Sequence, residues 1–105
     1  MTLTEFKTIL KSTDMPVAYH HFKEAQARPF VIYAADGEND LMADNEHYLE
    51  IISGYIELYT DIKDPAAEET IKAALKNNHI SYRKENEDYI DTEEVFYVRW
   101  SFSFI

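Results

Sequence analysis

The stretch DGENDLMADNEHY, residues 36 to 48, sets carboxylates, asparagine side chains and one imidazole close together along the chain. Such a set could chelate calcium through oxygen, hold zinc through His47 with Asp44 and Glu46, or connect two strands as a polar link. Calcium fails on spacing. If Asp36 opens an EF-hand loop, Glu38 and Asp40 fall correctly, but Leu41 stands where the tight turn needs Gly and His47 where a bidentate Glu is needed. The flanking segments are also strand-like rather than helical. Zinc would have a single imidazole here, and polar residues on a solvated loop or strand edge account for the same letters.

The other chemistry-bearing residues are no better arranged. His20 and His21 are neighbours in a predicted strand, so their side chains are expected on opposite faces, unable to share a metal. His47 and His79 lie far apart, and no helical H-x-x-x-H spacing occurs. The carboxylate pair Glu68–Glu69 fits the positive end of a helix dipole, and Glu93–Glu94 fits a turn before a strand. Ser12, Ser53, Ser81, Ser101 and Ser103 stand in no nucleophile motif. Gly37 and Gly54 are the only glycines, too few for a phosphate-cradling loop, and the chain has no Cys for thiol chemistry or disulfides. These patterns give no catalytic, cofactor-binding or metal-ligating residue, so the expectation is a protein that is not an enzyme and needs no cofactor.

Periodicity then supplies the elements. Thr2 with Glu5 has capping-box spacing, and Leu3, Phe6, Ile9 and Leu10 share one helical face before STDMP ends the helix. VAYHHF (17 to 22) and PFVIYAA (29 to 35) read as strands joined by a polar surface link. YLEIISGYIELYT reads as a long strand up to Thr60, in which Gly54 marks a bulge or a close backbone approach. Asp64 as N-cap and Pro65 at the first position open a second helix, whose stripe is Ala67, Ile71, Ala74 and Leu75. Asn77 or Asn78 is the expected left-handed cap, with Ile80 the apolar contact beyond it. Residues 80 to 90 form a further strand that runs into a polar turn. EVFYVRWSFSFI then alternates, with Phe96, Val98, Trp100, Phe102 and Phe104 on one face and Tyr97, Arg99, Ser101 and Ser103 on the other. The order α-β-β-β-α-β-β predicts a single α+β domain over residues 1 to 105, a mainly antiparallel sheet with both helices on one face.

The chain has 105 residues and a formal net charge of -10, with 46% apolar and 14% aromatic residues. This fits one folded domain, and the acidity disfavours a nucleic-acid partner, which needs clustered Lys and Arg. No apolar run approaches the length of a membrane helix, and MTLTEFKTILKSTD lacks a basic region followed by an apolar run, so a soluble intracellular protein is expected.

Taken in order, MPVAYHHF, PFVIYAADGENDLMADNEHY, YIELYTDIKDPAAEETIKAAL and YIDTEEVFYVRWSFSFI resemble the small tail-completion or head–tail joining proteins, tail terminator-like, of long-tailed phages and prophages of Gram-positive bacteria. The pieces that carry the resemblance are ADNEHY, YIELYT-x-x-KDP with its helix, and the aromatic end strand; together they span nearly the whole chain. The resemblance implies an α+β assembly protein without a catalytic centre, found in the host cytoplasm during assembly and then in the virion at the head–tail junction. Its implied partners are tail-tube and head or neck proteins and further copies of itself in a hexameric ring, as a monomer in dilute solution. Neither a membrane nor a specific nucleic-acid sequence is among them. Within that reading, Asp36, Asp40, Asp44, Asn45, Tyr48, Tyr55, Tyr59 and Tyr97 are the candidate assembly contacts, and acids near the ring axis would keep passing DNA from sticking. The rival reading is an acidic inhibitor or DNA mimic occupying a basic protein groove. A small enzyme or metal-binding module is the third class, which the failed motif tests weaken.

Overall fold

The computed structural model describes residues 1–42 and 48–105, with the backbone path alone over 38–42 and 48–49. The architecture is α+β, in the expected order. Helix α1 (Leu3–Lys11) is followed by β1 (Val17–Tyr19), β2 (Phe30–Met42) and β3 (Tyr48–Thr60). Helix α2 (Pro65–Asn77), β4 (Ser81–Ile90) and β5 (Val95–Phe104) complete it. The five strands form one sheet in the order β1-β2-β3-β5-β4, antiparallel except that β1 runs parallel to β2.

Both helices begin where local chemistry requires. The Thr2 hydroxyl accepts from the Glu5 N–H at 3.1 Å, while the Glu5 carboxylate accepts from the Thr2 N–H at 3.1 Å. Asp64 accepts from the Ala67 N–H at 3.1 Å, with Pro65 next to it where a missing N–H costs nothing. The end of α2 departs from expectation. Asn78 caps it with φ -106°, and the left-handed residue is His79, at φ 57°. His79 N–H donates to the Lys76 carbonyl at 3.1 Å and Ile80 N–H to that of Leu75 at 3.0 Å, the paired closure that puts the left-handed residue one place beyond the cap. The expected apolar contact holds, since Ile80 and Leu75 are both buried in the core cluster.

The core lies between the helices and one sheet face. Phe6 and Leu10 of α1 and Ile71 and Leu75 of α2 are fully buried in one cluster with Val31, Ile56, Leu58, Val98 and Trp100. Phe6 stacks on Phe102 with ring centroids 4.3 Å apart. The alternation of β5 is realised as expected: Val98, Trp100, Phe102 and Phe104 are buried, and Phe96 packs partly buried against them.

Glu68 does more than complement a helix dipole. It is 7% exposed, and Lys63 Nζ lies 3.0 Å from its Oε1 and 2.8 Å from its Oε2; only the first contact has hydrogen-bond geometry. Lys63 also bonds Glu87 of β4 at 3.1 Å and sits 5.7 Å from the Phe96 ring centre, tying the start of α2 to the sheet.

β2 and β3 form a long hairpin that outruns its neighbours. β1 covers β2 only from Val31 to Tyr33, and β5 covers β3 only from Ile52 to Thr60. Beyond these limits β2 and β3 pair, among the described residues, with each other alone, as far as Met42 with Tyr48. The strand expected over 29 to 35 therefore runs on into the acidic stretch, and the molecule measures 51 × 26 × 24 Å. Residues 43–47 lie outside the described residues.

The arm leaves the sheet at a bulge. Register shifts between Ala35 and Gly37, so that Asp36 is the extra residue, opposite the Gly54–Ser53 step of β3. A β-carbon at Gly54 would overlap the carbonyl oxygen of Ala34 and stand 2.8 Å from the Ala35 Cα. Gly54 thus allows a close backbone approach, one of the two roles its position in the strand suggested.

Candidate assembly face

The sheet face away from the helices is built from cross-strand rows. Phe30, Tyr59 and Tyr97 make one row across β2, β3 and β5; Ile32, Glu57 and Arg99 make the next; Ala34, Tyr55 and Ser101 the third. Phe30 and Tyr59 stack at 5.0 Å between ring centroids, and Tyr59 and Tyr97 stand 6.0 Å apart. Phe22, from the link between β1 and β2, meets Phe30 edge-on at 5.3 Å and lengthens the aromatic row.

The middle row ties the tyrosines together electrostatically. Tyr59 O–H donates to Glu57 Oε1 at 3.2 Å, and Arg99 donates to Glu57 Oε2 at 3.3 Å. The Arg99 guanidinium lies over the Tyr55 ring, 4.0 Å from its centre. Burial pushes the Tyr59 hydroxyl well above its ordinary range, and the neighbouring Glu57 carboxylate pushes it further. Burial also raises Tyr55, with Glu57 adding to the shift and Arg99 opposing it. Both hydroxyls stay protonated at neutral pH, so these two tyrosines give the face aromatic surface and hydroxyl donors beside the Arg99 guanidinium.

The eight candidate contacts fall into four groups. Tyr55, Tyr59 and Tyr97 share the open face. Asp36, exposed at the bulge, lines a shallow depression with Tyr55, Arg99, Ser101 and Glu85. Asp40 and Tyr48 lie on the arm, where backbone pairing sets Asp40 opposite Glu50 and Tyr48 opposite Met42. Asp44 and Asn45 lie outside the described residues. Sequence reasoning did not single out Phe22, Phe30, Glu57 or Arg99 as contacts. Alternation had placed Arg99 beside Tyr97; its partners Glu57 and Tyr55 come from strand order, which no local pattern reveals.

The histidines correct a second expectation. β1 ends at Tyr19, and His20 takes φ 67°, so the His21 N–H reaches back to the Tyr19 carbonyl at 2.7 Å in a three-residue turn. Strand alternation therefore stops before the pair. The two imidazoles, instead of pointing apart, approach with Nδ1 atoms 3.1 Å apart, both exposed. Among the described residues no group of three or more His, Asp and Glu side chains is arranged to hold a metal ion.

No protein-family model matches the chain, and no curated protein matches it.

Proposed function

We propose that the chain is a non-enzymatic virion assembly protein that completes or terminates a phage tail tube and joins it to the head or neck, acting as a ring subunit. The observation that carries an assembly role is the open face: a Phe30–Tyr59–Tyr97 row with Arg99 and Tyr55 beside it, flanked by a two-stranded arm. Tyr, Phe and Arg are the residue types enriched in the centres of protein interfaces, and the arm lends backbone edges to a neighbour. The tail-end assignment within that class rests on the resemblance of ADNEHY, YIELYT-x-x-KDP and the aromatic end strand to tail-completion proteins.

A DNA mimic would present its charge as one continuous acidic face. Here the basic side chains are threaded among the acids and paired with them: Lys63 with Glu68 and Glu87, Arg83 with Glu85, Arg99 with Glu57, Arg28 with Asp61. That distribution favours assembly over mimicry.

The test is co-sedimentation of the purified chain with tail tubes of the major tail protein encoded in the same genome, with electron microscopy of the tube ends. The chain is expected to pellet with tubes and cap one end, and Tyr59→Ala with Tyr97→Ala to reduce capture about tenfold or more. Absence of tube or neck binding, together with tight binding to a nuclease, would overturn the proposal.

A further inference from the structure

The outer edge of β4 has no strand beside it among the described residues, and its side chains form a sequence complementary to itself when reversed. We infer that two copies of the chain pair antiparallel along β4, about a two-fold axis passing between Glu85 and Asn86. In that register Arg83 of one copy faces Asp88 of the other, Lys84 faces Glu87, and Tyr82 faces Tyr89. Each pairing occurs twice by symmetry.

The fold makes this register possible through a bulge. In an unbroken strand, residues an odd number of places apart point to opposite faces. Arg83 and Asp88, or Lys84 and Glu87, could not then meet across a two-fold axis. β4 shifts register between Lys84 and Asn86, leaving Glu85 as the extra residue. After the shift, Arg83 and Asp88 both lie on the open face, opposite Ser101 and Tyr97. Lys84 and Glu87 both lie on the helix face, opposite Trp100 and Val98, and Tyr82 and Tyr89 share that face opposite Phe102 and Phe96. One displacement brings all three pairs into register.

Charged edges and bulges ordinarily discourage strand addition. Here the charges are arranged with opposite signs at two-fold related positions, so they repel a foreign acidic or basic strand and accept a second copy. Lys84 and Glu87 already bond within the chain, as does Lys63 with Glu87, so that pairing changes partners rather than adding one. Arg83 supplies the new attraction: its side chain is 80% exposed and among the described residues bonds only Glu85, at 3.3 Å. Tyr89, 44% exposed, gains cover from Tyr82. Each chain has a formal net charge of -10, which opposes association at long range but is screened within about 8 Å at physiological ionic strength.

The inference does not depend on the virion reading, since pairing requires no tail component. Sedimentation equilibrium on the whole chain should show a monomer–dimer equilibrium. Arg83→Glu or Asp88→Arg alone sets like charges face to face at both symmetry-related positions and should weaken it about tenfold or more. The double variant R83E/D88R restores opposite charges with signs exchanged and should return the dimer. Hydrogen exchange at high protein concentration should protect the amides of Ser81–Ile90 that β5 leaves free, and circular dichroism should show all three variants folded. A wild-type chain monomeric at every concentration, or a double variant as weak as the single ones, would overturn the inference.

Discussion

At the scale of single residues, one small side chain decides how the arm joins the sheet. Gly54 has an ordinary backbone, with no positive φ, so its role is space rather than conformational freedom. The Ala34 carbonyl lies where a β-carbon would project, and it belongs to the paired backbone of β2, which cannot rotate away as a flexible side chain would. Gly54→Ala is expected to destabilise the chain by about 3 kcal/mol, the upper part of the usual overpacking range, because the strain falls on backbone. Urea denaturation measures it, and a loss under about 1 kcal/mol would show that the bulge at Asp36 absorbs the methyl group. The neighbouring Gly37 is less constrained, since a β-carbon there meets the Ser53 hydroxyl oxygen at 2.7 Å, the end of a side chain that can turn.

At the scale of elements, what was legible is what is local. The box at Thr2 and Glu5, the Asp64 cap, the helical stripe through Ile71 and Leu75 and the two-residue period of β5 all involve contacts within a few residues, and each appears in the fold. The end of β1 and the shift to His79 depend on backbone angles that side-chain type encodes weakly. The candidate face divides the same way. Tyr97 and Arg99 could be placed on one side of their strand, but Glu57 and Tyr55 reach Arg99 only because β3 lies beside β5 with α2 and β4 between them in sequence. The two ends of α2 give paired expectations. Asp64→Ala removes the acceptor for the Ala67 N–H and should cost about 1 kcal/mol. His79→Gly relieves a left-handed non-glycine residue and should gain about 0.5–1 kcal/mol, so the two urea midpoints should move in opposite directions.

At the scale of the whole molecule, the ionisable groups predict an asymmetric response to pH. Lys84 and then Lys63 hold the Glu87 carboxyl below its ordinary 4.5, and Ser101 and then Arg83 do the same for Glu85. A depressed carboxyl stabilises the fold above 4.5 and loses that contribution as pH falls through the folded value. Both groups are exposed, so the acid limb should be shallow. The alkaline limb is different. Burial raises Tyr33, Tyr55 and Tyr59 above their ordinary 10.0, and hydrogen bonding to Glu68 first among several causes raises Lys63 above 10.5. A raised value stabilises fully below the unfolded one. Above it the unfolded chain releases protons that the folded chain retains, and stability falls. The urea midpoint should therefore stay nearly level through neutral pH and drop steeply above about pH 10, with tyrosinate absorbance rising as structure is lost. Tyr33, Tyr55 and Tyr59 are expected to ionise only as the sheet unfolds. Tyr59→Phe removes the most strongly shifted group and should flatten this limb; an unchanged slope would mean that Tyr59 ionises in place and that the open face is wetter than its stacking suggests.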